Sequence, residues 1–152
     1  MTVGSRRKAR EAALQMLYQM DVSGVDAEHA IELFWANLGP QKPDPDEQAA
    51  EPVEPLQERE FADGLVRGYG GRRDEIDAKI RAVSKHWRLE RMARVDRNII
   101  RMGAYELMHV PEVPRRVTLN EAVELAKQFG NEESPAFVNG VLDRIAADTT
   151  KD

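Results

Sequence analysis

The chain has 152 residues, of which 41% are hydrophobic and 32% are charged, with a formal net charge of -5. This length suits one ordinary domain. No apolar run reaches the roughly 18 to 20 residues of a membrane span, and the N-terminus lacks the apolar core of a signal peptide, so we expect a cytoplasmic protein without a membrane partner. The absence of cysteine excludes disulfides, thiolate catalysis and cysteine-based zinc sites.

The negative charge is concentrated in one segment. Residues 41–58 hold six acidic side chains against the single cation Lys42, so this segment alone carries -5 and the remainder sums to zero. Within that remainder four cations form a dense N-terminal cluster: Arg6, Arg7, Lys8 and Arg10. A local cluster of this kind can attract a polyanion despite an acidic net charge.

Helical periodicity appears almost everywhere in the chain and clean strand alternation almost nowhere, which predicts an all-α fold. The first helix is predicted from a cap at Ser5 to about residue 22, and the second from about residue 26 to residue 38, ending at Gly39-Pro40. One apolar stripe of the first helix should face the core: Ala9, Ala13, Met16, Leu17 and Met20.

A proline-rich acidic segment follows the second helix. Residues 40–55 contain five prolines and no periodicity, which predicts a flexible acidic loop. A third helix should then end near Tyr69. The fourth helix is predicted from apolar residues spaced at i, i+4, i+7 and i+11, which would all face the core: Ile76, Ile80, Val83 and Trp87.

Three more helices are expected in the C-terminal third. The fifth covers about residues 91–108, with Gly103 permitting the close approach of a neighbour. A capping box at Thr118 and Glu121 should open the sixth, and Ser134 followed by Pro135 should cap the seventh. The pattern as a whole predicts a compact bundle of about seven helices.

Residues with catalytic potential do not form a recognisable constellation. His29, His86 and His109 are isolated, and no nucleophile signature is present. The glycines of Gly68–Gly71 lack the strand and the lysine of a phosphate-binding loop, so they are interpreted as a helix end. We therefore expect no enzymatic activity, no catalytic residue, no cofactor and no metal ion.

Two features indicate RNA binding instead. At 100° per residue Tyr18 lies near Arg7 on the polar face of the first helix, and an aromatic ring beside cations is typical of single-stranded RNA recognition. The second feature is a short polar loop flanked by Phe129 and Phe137. For Tyr18 a half-buried structural position is the alternative, and either phenylalanine could belong to the core.

Three stretches of sequence resemble the bacterial NusB family: RRKAREAALQMLY at 6–18, VDRNIIRMGAYEL at 95–107, and NEAVELAKQF at 120–129 continuing to FVNGVL at 137–142. The resemblance implies one NusB-like RNA-binding domain over residues 1–152, built as two packed helical subdomains. It also implies a non-enzymatic role in ribosomal RNA transcription. Proteins similar to this one bind boxA RNA together with NusE, a ribosomal small-subunit protein, join other Nus factors on RNA polymerase and suppress premature termination.

The resemblance also implies which residues carry these contacts. Tyr18 and Asp96 match the region that contacts NusE, although Asp96 could instead cap or pair within its own helix. The residues that match the RNA-binding positions are Arg6, Arg7, Lys8, Arg10, Tyr18, Phe129, Glu133 and Phe137.

Two other interpretations remain open at this point. One is a structural or dimerising helical module without specific RNA binding. The other is a detached NusB-like domain of a ribosomal RNA methyltransferase, although the sequence shows neither a cofactor-binding α/β pattern nor a cysteine. Either a monomer or a homodimer is compatible with the resemblance.

Overall fold

The computed structural model describes residues 3–37 and 56–149, with side chains from residue 6 in the first range and residue 57 in the second. These residues form helices and turns and no strand, which confirms the all-α prediction. The predicted acidic loop at 40–55 and the Gly39-Pro40 stop lie outside the described residues. The helices are α1 (Val3–Ser23), α2 (Ala27–Asn37), α3 (Leu56–Gly71), α4 (Arg73–Val83), α5 (Arg94–His109), α6 (Arg115–Phe129) and α7 (Ser134–Ala147), and a 3-10 turn covers Leu89–Arg91.

The chain divides into two compact units, Met1–Arg67 and Gly68–Asp152, with the division inside α3. No described helix is both long enough and apolar enough to cross a membrane.

In the first unit, the predicted stripe of α1 forms the core. Ala9, Ala13, Met16 and Leu17 are at most 1% exposed and Met20 is 6% exposed, as their spacing predicts. The helix nevertheless starts at Val3, so the prediction that Ser5 caps it is wrong. A serine is tolerated there because the first four amide groups of a helix have no intrahelical carbonyl partner.

Polar contacts connect α2 and α3 in the same unit. Asp26 begins α2 by accepting a hydrogen bond from the His29 amide at 2.8 Å. The Trp35 indole donates to Asp63 at 2.8 Å, and Arg67 forms a forked pair with Glu28 at 2.6 and 3.1 Å. This pair holds the pKa of the Glu28 carboxyl below its ordinary value.

The starts of α6 and α7 differ from the predicted caps. Helix α6 begins at Arg115, directly after Pro114, so Thr118 lies inside the helix, 1% exposed, and donates to Glu106 at 3.3 Å. Proline lacks an amide proton and has a preset φ, and it therefore begins a helix without a polar cap. At α7 the Asn131 side chain, rather than that of Ser134, accepts the amide hydrogen bonds of residues 133 and 134.

The core of the second unit contains the predicted close approach at Gly103. A Cβ added to Gly103 would lie 2.7 Å from Leu142 Cδ1, so α5 and α7 approach closely here and any larger residue would displace the buried Leu142 side chain. Ile99 and Met102 are also buried on α5, as predicted.

A buried ionic cluster joins α3, α4 and α5 within the second unit. Arg101 donates from Nε and Nη2 to the two carboxylate oxygens of Asp77 at 3.0 and 3.1 Å, and both side chains are 8% exposed. The Tyr69 hydroxyl donates to the same carboxylate at 2.9 Å. Burial raises the pKa of the Tyr69 hydroxyl far above its ordinary value, so this hydroxyl stays a donor.

The placement of Trp87 on the core face of the fourth helix is wrong. Helix α4 ends at Val83, where the amide and the hydroxyl of Ser84 both donate to the Ile80 carbonyl at 2.9 and 2.7 Å. Because the helix ends at Val83, the i+11 spacing does not place Trp87 on the same face as Ile76 and Ile80. Trp87 lies outside the helix and is 62% exposed.

Candidate nucleic-acid interface

The four cations of α1 do not occupy equivalent positions. Lys8 is exposed, and Arg6 and Arg7 are half-buried. Arg10 is only 2% exposed. The guanidinium carbon atoms of Arg6 and Arg10 lie 4.4 and 5.2 Å from the ring centroid of Phe61. Cation–π contacts of this kind hold the two arginines against α3, which leaves Lys8 the most accessible charge of the cluster.

Tyr18 lies two turns further along α1, away from the buried stripe. Its side chain is 40% exposed, in agreement with its predicted position on the polar face. The ring is therefore accessible to a partner from solvent, and its role in RNA or NusE binding stays a prediction.

The α6–α7 connection presents a second set of predicted residues. Phe129 is 41% exposed and Glu133 is exposed, whereas Phe137 is half-buried on α7. Ser134 Oγ accepts a hydrogen bond from the Asn131 amide at 2.9 Å, and Asn131 Oδ1 accepts from the amide of Glu133 at 2.9 Å. This reciprocal pattern fixes the shape of the turn and therefore the positions of the side chains that it exposes.

Gly130 is required by this turn for steric reasons. An added Cβ would lie 2.4 Å from Ser134 Oγ and 2.8 Å from the backbone oxygen of Ala126. The backbone atom cannot move aside without distorting the end of α6. We therefore expect Gly130→Ala to destabilise the protein by about 1 to 3 kcal/mol, the usual range for overpacking, and to lower Tm by about 2 to 4 °C per kcal/mol.

Thermal unfolding followed by circular dichroism checks this expectation. Gly64→Ala is the matched control, because an added Cβ there meets nothing within 4 Å and alanine is the better helix former. A Gly130→Ala protein as stable as the Gly64→Ala protein would show that the turn does not need glycine.

Trp87 is exposed beside the predicted Phe137, a position that the sequence pattern did not indicate. Trp87 contacts Phe137 edge to face, with ring centroids 6.0 Å apart and an interplanar angle of 77°. Lys85, His86 and Arg88 are all exposed around it. The sequence does contain a relevant signal, because an aromatic residue between cations is typical of nucleic-acid contacts. The helical spacing instead predicted a core position for Trp87.

Asp96 lies in the first turn of α5, where a negative charge is favourable to the helix dipole. The side chain is 7% exposed, and its Oδ1 atom has no hydrogen-bond partner among the described residues. No side-chain cap is formed at the start of α5. The alternative that Asp96 caps its own helix therefore lacks the expected hydrogen bond.

No group of three or more histidine, aspartate or glutamate side chains in the described part of the chain is arranged to hold a metal ion.

Comparison with known proteins identifies the family to which the chain belongs. The family model described as the NusB family matches residues 7–147. The chain belongs to the NusB family. The NusB fold class predicted from the sequence is thereby confirmed.

The similarity extends over the whole length of several NusB proteins. The chain is 47% identical over 150 residues to the transcription antitermination protein NusB of Myxococcus xanthus, covering 98% of this chain and 99% of that protein. It is 50% identical over 144 residues to the protein of the same name from Sorangium cellulosum, covering 95% and 93%. The family to which the chain belongs thus includes proteins named as transcription antitermination proteins.

Solved NusB structures have the same fold. T. maritima NusB superposes with a TM-score of 0.79 at 32% identity, covering 95% of this chain and 92% of that chain. A chain in the crystal structure of the antitermination factors NusB and NusE in complex with dsRNA gives a TM-score of 0.75 at 27% identity, covering 96% and 98%.

Proposed function

We propose that this protein is a non-enzymatic scaffold of antitermination, which binds boxA RNA together with NusE during transcription of ribosomal RNA. Other Nus factors and RNA polymerase then join indirectly. The observation that carries the proposal is the full-length similarity to a chain of the NusB–NusE–dsRNA structure, at 27% identity. The exposed cations and aromatic rings of both units support it.

In the first unit, we assign Lys8, Arg7 and Arg6 to RNA phosphates and Tyr18 to a base or to NusE. The Phe61 ring limits the motion of the Arg6 guanidinium, so less conformational entropy is lost when it meets a phosphate. Arg10 is nearly buried over the same ring. Its RNA contact stays a prediction beside the packing role that the structure shows.

In the second unit, the α6–α7 turn offers groups that read bases rather than phosphates. Phe129 and Phe137 supply aromatic faces for stacking, and the exposed Glu133 carboxylate can accept from a base amino group. A carboxylate near RNA repels phosphates, so this turn is suited to unpaired bases whose edges are accessible.

We assign Tyr18 and Asp96 to the binding of NusE. An unpartnered, buried carboxylate oxygen costs free energy in the isolated protein, and a rotation of the Asp96 side chain that brings this oxygen to a donor from NusE would remove that cost. We expect Asp96→Asn to raise the Kd for NusE about fivefold, because a neutral hydrogen bond replaces a charge-assisted one. Affinity for RNA alone should not change.

Isothermal titration calorimetry with purified NusE measures this effect, and Glu58→Gln is the control. Glu58 is 4% exposed and also has an oxygen without a hydrogen-bond partner, but it has no assigned partner role. If Asp96→Asn lowered Tm and left the Kd for NusE unchanged, the carboxylate would serve its own helix instead.

The proposal as a whole is tested by fluorescence anisotropy of labelled boxA RNA beside a scrambled RNA of equal length, with NusE present in both titrations. We expect a clear preference for boxA. Equal binding to both RNAs would contradict the proposal and leave a structural or dimerising module, which light scattering on a sizing column would then identify by its mass.

A further inference from the structure

Trp87 and Phe137 line a surface pocket of about 220 Å³ in the Gly68–Asp152 unit. Ser84, Gly140 and Arg144 contribute to its other walls. A tryptophan that is 62% exposed leaves a large apolar surface in water, which is unfavourable unless a ligand covers it.

The geometry of the two rings leaves space for a flat ligand. Trp87 and Phe137 are nearly perpendicular, at 77°, so their mutual contact involves an edge and much of the indole stays accessible. The pocket is smaller than the roughly 300 to 1,000 Å³ of most small-molecule sites. A single planar ring fits this space better than a larger ligand.

The charges around the pocket favour an anionic ligand. Lys85, His86 and Arg88 are exposed beside Trp87. Arg144 donates to the Val83 carbonyl at 3.0 Å, which holds its guanidinium at the pocket wall. Cations for phosphates beside an aromatic face for a base are the combination used in single-stranded nucleic-acid sites.

We propose that this pocket binds one unpaired RNA base, which stacks on Trp87 while Lys85 and Arg88 contact the neighbouring phosphates. The proposal rests on the proposed function and extends it, because it adds Trp87 and a defined base subsite to the expected RNA surface. The half-buried Phe137 then forms the second aromatic wall of the subsite and packs against the indole.

Tryptophan fluorescence reports directly on this stacking. The chain has two tryptophans, so a Trp35→Phe background leaves Trp87 as the single emitter. Titration with boxA RNA should quench Trp87 as the anisotropy of labelled RNA rises. Trp87→Ala should weaken RNA binding about 5- to 150-fold, the range for one stacked base, and Trp87→Tyr should restore most of the affinity.

A second pair of variants tests the pocket without removing its aromatic wall. Gly140 lies within α7 and an added Cβ there meets nothing within 4 Å, so Gly140→Ala should be tolerated and should bind RNA as before. Gly140→Leu should retain or raise thermal stability, since leucine is a better helix former, but its side chain fills the pocket and should weaken RNA binding about as much as Trp87→Ala.

The outcomes separate this inference from the proposed function. If the unchanged protein shows no preference for boxA, the proposed function fails and the base subsite fails with it. If boxA binds with preference but neither quenches Trp87 nor responds to Trp87→Ala and Gly140→Leu, only the pocket assignment is overturned. If Trp87→Ala and Gly140→Leu lost NusE binding but kept the RNA affinity unchanged, the pocket assignment would also be overturned, because the pocket would then bind a protein.

Discussion

Arg101→Leu is expected to lower the free energy of unfolding by about 3 to 5 kcal/mol. The substitution removes both hydrogen bonds from Arg101 to Asp77, at 3.0 and 3.1 Å, and leaves a buried carboxylate that still accepts a hydrogen bond from the neutral Tyr69 hydroxyl but has lost its cation. The penalty arises because an uncompensated charge stays in a region of low dielectric. For a chain of this length it corresponds to a Tm lower by roughly 6 to 20 °C.

Urea unfolding followed by circular dichroism measures this change, and Arg81→Leu provides the control. Arg81 also pairs with a carboxylate, Glu90 at 2.7 Å, but the two side chains are 53% and 62% exposed. Water and salt screen such a pair, so its loss should change stability little. Equal effects of the two substitutions would show that the buried cluster does not determine the stability of the second unit.

The double substitution Arg7→Ala with Lys8→Ala is expected to weaken binding of single-stranded RNA at least about tenfold at low salt. Each phosphate contact that is lost should also reduce the slope of log affinity against log salt by about 0.7, and therefore by about 1.4 for both. Lys8 is exposed and Arg7 is half-buried on α1, so the fold should tolerate both changes.

The matched control removes the same charge elsewhere. Arg72 and Arg73 are exposed at the start of α4, and replacing both with alanine lowers the net charge by the same amount. Anisotropy titrations at several salt concentrations should show a reduced slope only for the α1 variant. Equal losses from the two double variants would mean that RNA senses net charge rather than the α1 cluster.

Features that depend on local periodicity were predictable from the sequence. The buried stripe of α1 and the glycine contact of α5 follow from residue spacing alone, because an amphipathic helix presents one face to its core. Helix starts were less predictable. Helix α6 begins at Arg115, directly after Pro114 and three residues before the apparent capping box at Thr118, since proline needs no acceptor for an amide proton.

Features that depend on distant parts of the chain could not be predicted. In the sequence Arg10 and Lys8 are equivalent members of one basic cluster. Only the folded chain shows that the Phe61 ring of α3 packs against Arg10. The salt bridge between Asp77 and Arg101 joins residues 24 positions apart on different helices. Residue spacing places Trp87 on the core face only if α4 continues past Val83. The hydrogen bonds of Ser84 end the helix there, and residue spacing does not reveal such an end.

The most direct test of the proposed scaffold is the coupling between its two ligands. The Kd of boxA RNA is measured by anisotropy with and without NusE, and the Kd of NusE is measured with and without boxA RNA. Coupled binding predicts that each ligand raises the affinity for the other by the same factor, and that scrambled RNA shows no such gain. Equal, weak binding of both RNAs that NusE does not change would contradict composite recognition.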